Sequence, residues 1–114
     1  MLVHNVSDVP GRPMGKELPG VTKRVMVGKD EGALNFVIRH FTLEEGAATP
    51  YHAHDWEHEV FILEGEGVLV SEDGEQPVRP ADAAYVPPNA KHNFRNTGKG
   101  KLCFLCIVPM KGEY

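Results

Sequence analysis

Three histidines crowd the stretch His52-Ala53-His54-Asp55-Trp56-Glu57-His58-Glu59, and a fourth ends the stretch Pro87-Pro88-Asn89-Ala90-Lys91-His92. Side chains alternate between two faces along an extended strand, so the three histidines of the first stretch point to the same side. Imidazole nitrogens are good ligands for Mn, Fe, Ni, Cu and Zn. The pattern predicts a transition-metal site, to which His92 contributes from a different strand.

Side chains alternate in this way only where no bulge interrupts the strand. A bulge near Asp55 and Trp56 would turn Glu59 inward in place of His58, although simple alternation favours the histidine. Burying several neutral imidazoles without a shared ligand would require many compensating hydrogen-bond partners. His4 and His40 stand alone, and we interpret them as surface or hydrogen-bonded core residues.

Length and composition describe an ordinary globular domain. The chain has 114 residues, 41% of them hydrophobic and 25% charged, with a formal net charge of −4. One domain is the common outcome at this size. The negative charge argues against nucleic acid or an anionic membrane as the main partner. The longest apolar run, 102–109, is too short to span a bilayer, and the first residues lack the basic and apolar regions of a secretory signal. A cytoplasmic protein is expected.

Short β-rich runs bounded by turn residues follow one another from residue 21 onward, while residues 1–20 show little periodicity and predict an extended arm. No stretch keeps a helical apolar period for ten residues. The pattern predicts an all-β sandwich or barrel, with jelly rolls among the candidates. The predicted strands are 21–27, 34–43, 59–63, 68–70, 76–79, 83–86, 92–96 and 101–108.

Cys103 and Cys106 form a C-x-x-C motif, which elsewhere marks a redox pair or half of a zinc site. Here the motif lies on a predicted strand, where residues three apart face opposite sides, so a disulfide is geometrically disfavoured. We expect two structural thiols; the alternative is that one of them lines a pocket.

Both histidine stretches resemble the sequence motifs of the cupin family. The stretch 46–54 with Glu59 and Gly65 resembles the first cupin motif, and 81–96 resembles the second, with Pro87, His92 and Asn96 matching. Ala81 and Asn89 stand where the family usually has glycine, a departure that affects turn geometry more than chemistry. The resemblance covers roughly residues 40–108 and is closest to small single-domain manganese cupins with four histidine ligands.

The resemblance implies a single-domain jelly roll, that is, a double-stranded β-helix barrel, over residues 21–114. It implies one divalent metal per chain in the mouth of the barrel, with Mn favoured and Fe, Ni, Cu or Zn as alternatives. The implied ligands are His52, His54, His58 and His92, with Glu59 outside the coordination shell. It also raises the expectation of a homodimer, in which the arm or first strand joins the partner's sheet.

Four neutral imidazoles leave the charge of the metal unneutralised, so we expect binding of small anionic or oxygen-rich molecules. The residues expected near such a ligand are Arg39, Phe94, Phe104, Cys106 and Val108, while no catalytic residue is identified. Three functions are compatible with this site. They are an oxygen-using oxidoreductase of the dioxygenase kind, a non-redox isomerase or lyase, and a binding module without turnover.

Overall fold

The computed structural model describes all residues from Met1 to Tyr114 and contains strands and short 3-10 turns but no α-helix. The strands are β1 (Arg12–Pro13), β2 (Val21–Val27), β3 (Phe36–Leu43), β4 (His58–Glu64), β5 (Gly67–Ser71), β6 (Gly74–Val78), β7 (Ala83–Val86), β8 (His92–Asn96) and β9 (Leu102–Pro109). The 3-10 turns span Val6–Asp8, Lys29–Glu31 and Met110–Gly112. The chain forms no helix with the length and apolar character needed to cross a bilayer.

The strands form two antiparallel sheets that face each other as a jelly roll. One sheet has the order β1-β2-β3-β9-β4-β7, and the other has the order β6-β5-β8. Isolated bridges join Ala48 to Arg95 and His52 to His92, so the segment that carries the first histidines runs alongside β8. The predicted all-β fold class is confirmed, and the topology brings the two histidine stretches together.

Alternation along β3, β8 and β9 builds the core. Along β9 the even-numbered residues from Leu102 to Val108 are all buried and face the second sheet. Phe104 stacks on Phe41 with ring centroids 5.4 Å apart and packs against Phe94 at 4.9 Å. Burial of these rings supplies much of the hydrophobic stabilisation.

Two turns carry the non-glycine residues in the left-handed region. Ala81 has φ 75° and Asn89 has φ 68°. These are the two positions at which the cupin motif usually has glycine, so the backbone keeps the turn although the residue type has changed. At Gly65, with φ 84°, a Cβ atom would overlap the carbonyl oxygen of Lys101, which explains the glycine there.

The arm lies along its own barrel. β1 pairs with β2 through Arg12 and Pro13, and the amide of Met14 donates to the carbonyl of Val21 at 3.0 Å. The Arg24 side chain also donates to the carbonyl of Val9 at 3.0 Å. The strand predicted over 34–43 begins two residues later, at Phe36, because the chain bends at Leu34 and Asn35.

Candidate metal centre

Histidines 52, 54, 58 and 92 all border one cavity of about 220 Å³ between the sheets. The candidate ligand atoms of His54, His58 and His92 lie within 4.8 Å of one another. His52 lies at the exposed rim, with its Nε2 atom 3.0 Å from Nε2 of His54. Three histidines thus form a compact group, and the fourth adjoins it.

Backbone pairing between the two stretches positions three of these histidines. His52 and His92 exchange backbone hydrogen bonds of 3.3 and 3.2 Å, although neither His52 nor His54 belongs to a strand. The amide of Asn89 donates to the carbonyl of His54 at 2.6 Å, so the double-proline turn holds the first stretch. The ring of Trp56 stacks on His54 with centroids 4.6 Å apart and planes 2° apart.

The ring of His92 has a defined orientation. Its Nδ1 atom lies 2.9 Å from the carbonyl oxygen of Ala90. A carbonyl only accepts, so Nδ1 must carry the hydrogen, and Nε2 is left with a free lone pair. This is the arrangement in which metal-binding histidines are usually held.

His58 begins β4 and is buried, with 7% of its surface exposed. Its Nδ1 atom lies 3.0 Å from the sulfur of Cys106, while its Nε2 atom is buried without any hydrogen-bond partner. A buried polar atom without a partner is costly unless a ligand satisfies it. This nitrogen, beside the other imidazoles, fits a transition metal held by nitrogen donors.

Burial also favours the neutral form of His54 and His58. It is the main cause that lowers the pKa of His58 to about 3 and the pKa of His54 to about 4, with the charge of Arg39 contributing to both. Burial likewise lowers the pKa of His52. Neutral imidazole is the form that binds metals, so no proton has to be displaced near neutral pH.

Glu59 points away from the cavity. It is exposed and pairs across the sheet with Tyr85 and Ile107, and the neighbouring Glu57 carboxyl group raises its pKa. The chain bends at Asp55 and Trp56, yet this bend leaves His58, and not Glu59, on the inner side.

Arg39 brings a positive charge to the same cavity. It is 8% exposed, and its guanidinium lies 5.2 Å from the ring centroid of Phe41. One terminal nitrogen donates to the Cys106 sulfur at 3.0 Å, and the other donates to Glu113 at 3.4 Å. The Nε atom is buried and has no partner.

Four of the five residues expected near a ligand border the cavity, namely Arg39, Phe94, Phe104 and Cys106. The fifth residue, Val108, is not part of the cavity lining. It faces inward but is 1% exposed, and its side chain packs under Gly112 in the turn that follows β9.

Residues that the sequence did not suggest complete the cavity. They are Met14, Phe41, Thr49, Pro50 and Gly112. Phe41 could have been found, since it shares the inward alternation of Arg39 on β3. Met14 and Gly112 come from the arm and from the turn after β9, where no periodic pattern marks their contacts.

Fold and site together define a small jelly-roll domain that encloses a histidine-lined cavity. The family profile described as "Cupin domain" matches residues 39–108, which is most of the chain. The protein belongs to the cupin family.

Three similar proteins span different functions. The polyketide cyclase of Streptomyces resistomycificus shares 29% sequence identity and superposes with a TM-score of 0.89 over 96% of this chain and 80% of that one. Auxin-binding protein 1 of Arabidopsis thaliana is 29% identical over 94% of this chain and 58% of its own length. The oxalate-binding protein of Thermotoga maritima is 31% identical over 58% of this chain and 55% of its own length. The chain thus spans little more than half the length of these two curated relatives.

Proposed function

We propose that this cupin is a metal-dependent oxidoreductase that uses dioxygen, in the manner of a dioxygenase, on a small organic substrate. The metal would be held by His52, His54, His58 and His92, and Mn is the favoured ion. One observation carries the metal-binding part of the proposal: the buried, unpartnered Nε2 of His58 beside two further imidazoles in one cavity. When bound, the metal would supply Lewis acidity and redox chemistry with dioxygen.

The chain's own residues favour a small anionic substrate. The donor set consists of imidazoles without a carboxylate, and Arg39 adds a buried positive charge beside it. The rings of Phe94 and Phe104 form an apolar wall across the same cavity. A ligand with an anionic oxygen and an apolar body matches these two surfaces, and the wall limits water access to it.

Metal content tests the ligand set. In protein purified without a histidine tag, we expect about one transition metal ion per chain in wild type and in Glu59→Ala, because Glu59 points outward. His58→Ala should lose the metal. Retention by His58→Ala combined with loss by Glu59→Ala would contradict the four-histidine site.

Oxygen consumption tests the reaction class. We expect uptake above baseline when protein loaded with Mn, Fe, Ni or Cu meets a panel of enolic and phenolic anions. His58→Ala, treated with the same metals, is the control for reactions of free ions. Baseline uptake across the whole panel would count against an oxygen-using enzyme.

Similarity to the polyketide cyclase favours a second candidate, a non-redox isomerase or lyase. In that reaction the metal polarises a carbonyl group, so product formation should continue under strict anaerobiosis. Similarity to the oxalate-binding protein favours a third, a binding module that takes up a small anion without turnover. Saturable oxalate binding with no product under either atmosphere would identify it.

A homodimer and a cytoplasmic location belong to the same proposal. Phe61 and Tyr85 expose 43% and 58% of their surface on the outer face of the large sheet, where a second copy could cover them. Both cysteines are free, as is usual in a reducing compartment. A monomeric mass in light scattering at micromolar concentration would overturn the dimer, and recovery of the native protein outside the cytoplasmic fraction would overturn the location.

A further inference from the structure

The sulfur of Cys106 lies between two side chains from neighbouring strands. Arg39 is its direct partner in the pairing of β3 with β9, and His58 starts β4 on the other side of β9. The Arg39 Nη2 atom and the His58 Nδ1 atom each lie 3.0 Å from the sulfur. Cys106 is 3% exposed, so water does not compete for either contact.

Two hydrogen arrangements could satisfy this geometry. Either the thiol donates to Nδ1 and the hydrogen of His58 sits on Nε2, or Nδ1 donates to the sulfur and Nε2 carries only its lone pair. The second arrangement leaves the thiol hydrogen of Cys106 without an acceptor, which costs less than an unmet imidazole N–H because a thiol is a weak donor. A guanidinium can only donate, so Arg39 already uses the sulfur as an acceptor, and its positive charge attracts the sulfur lone pairs. The first arrangement would also point an N–H with no acceptor into the histidine cavity.

We infer that Cys106 is a positioning residue: its sulfur accepts the hydrogen of His58 Nδ1 and thereby leaves His58 Nε2 free to bind a metal. The inference rests on the proposed ligand role of His58. Metal-binding histidines usually donate their second nitrogen to a carboxylate, a carbonyl or water. Here a cysteine sulfur takes that place.

Arg39 is itself held in position by a chain of ion pairs. Glu113 accepts from Arg39 at 3.4 Å and from Lys23 at 2.7 Å, and the side chains of Arg39 and Glu113 are 10% and 11% exposed. The ring of Phe41 covers the guanidinium. Because the guanidinium is fixed on several sides, its hydrogen bond keeps the sulfur oriented toward His58.

The test compares Cys106→Ser, which keeps an acceptor, with Cys106→Ala, which removes it. Cys103→Ala is the matched control, because Cys103 is also buried on β9 but lies three residues away and faces the other side of the sheet. Long-range ¹H–¹⁵N NMR spectra of the metal-free, ¹⁵N-labelled proteins should show His58 protonated on Nδ1 in wild type, Cys106→Ser and Cys103→Ala. In Cys106→Ala we expect a mixture of tautomers.

Competition titrations with Mn²⁺ and Zn²⁺ provide the second readout. Cys106→Ala should bind each ion about 10- to 100-fold more weakly than wild type, while Cys106→Ser and Cys103→Ala stay close to it. Wild-type His58 protonated on Nε2, or folded Cys106→Ala that binds both ions as tightly as wild type, would overturn the inference. The wild-type spectrum tests the inference even if a variant fails to fold. If no metal binds to any of the proteins, the proposed function fails, whereas the spectrum still decides what Cys106 does.

Discussion

The two faces of the large sheet carry similar residue types but differ in what those residues can do. Each face has one buried histidine, one buried cysteine and one arginine close to them. These are His58, Cys106 and Arg39 on the inner face and His40, Cys103 and Arg24 on the outer face.

On the inner face the three residues are joined by hydrogen bonds of 3.0 Å and border a cavity with further histidines. On the outer face Cys103 donates a long hydrogen bond of 3.8 Å to the hydroxyl of Thr42, and His40 has a buried Nδ1 atom without a partner. Burial, and then the charge of Arg24, lowers the pKa of His40, and no second histidine borders the same hollow. Residue type alone therefore does not create the candidate metal site. The inner face forms such a site because the small sheet contributes His92 and closes the cavity on its other side.

The largest expected difference between the faces concerns stability. Phe104→Ala removes a ring that is 2% exposed and packs against two others, so we expect a loss of about 3–5 kcal/mol in the free energy of unfolding. Leu105→Ala, one residue away on the outer face, should cost roughly 1 kcal/mol because that side chain is only half-buried. Urea denaturation measures both. Equal losses would mean that a partner covers the outer face as fully as the core covers the inner one.

A smaller expected effect separates the buried ion pair of Arg39, on the inner face, from a surface ion pair on the small sheet. Glu113→Gln should destabilise the protein by about 1–3 kcal/mol, because it leaves the buried guanidinium of Arg39 without its carboxylate. Glu75→Gln breaks the surface pair of Glu75 with Arg95, whose side chains are 49% and 43% exposed, and should cost about 0–1 kcal/mol. Urea denaturation measures both variants. A Glu113→Gln variant as stable as wild type would show that the burial of Arg39 does not require its ion pair with Glu113.

The smallest effect should appear only on acidification. Burial first, and then the charge of Arg24, lowers the pKa of His40 below its ordinary value of 6.5. Between the lowered pKa and 6.5, the unfolded chain binds more protons at this residue than the folded chain does, so stability falls as the pH falls. His40→Gln lacks this contribution and should lose less stability than wild type between pH 7.5 and pH 5.5.

Denaturation curves at both pH values provide the measurement. Because His40 faces away from the cavity, on the outer side of the sheet, the variant should keep the wild-type affinity for Mn²⁺. If the variant lost as much stability on acidification as wild type, His40 would not resist protonation in the folded protein. Weakened Mn²⁺ binding would show that the outer face also affects the metal site.

Much of the fold could be predicted from sequence because its strands are short and bounded by turn residues. The predicted strands 83–86 and 92–96 agree with β7 (Ala83–Val86) and β8 (His92–Asn96). Alternation also correctly predicted that His58 points to the same side as His52 and His54. The prediction held although the chain bends at Asp55 and Trp56 and does not form one continuous strand there.

The remaining parts of the site depend on contacts between distant residues. β1 has only two residues, one of them a proline, so no alternating pattern in the sequence predicts it. The pair of Glu113 with Arg39 spans 74 positions, and Met14 and Gly112 reach the cavity only after the barrel has closed. Periodicity reports on neighbours along one element and carries no information about such contacts.

The backbone bridge between His52 and His92 has a consequence for folding. The two residues belong to separate sequence motifs. They come together only after the long loop between them has closed, and this closure has an entropic cost. An ion held by both would bind the native chain and not the unfolded one, and its binding free energy would add to the stability of the barrel. It would also slow unfolding if this pairing forms only after the rate-limiting step, so that metal loading would set the lifetime of the protein as well as its chemistry.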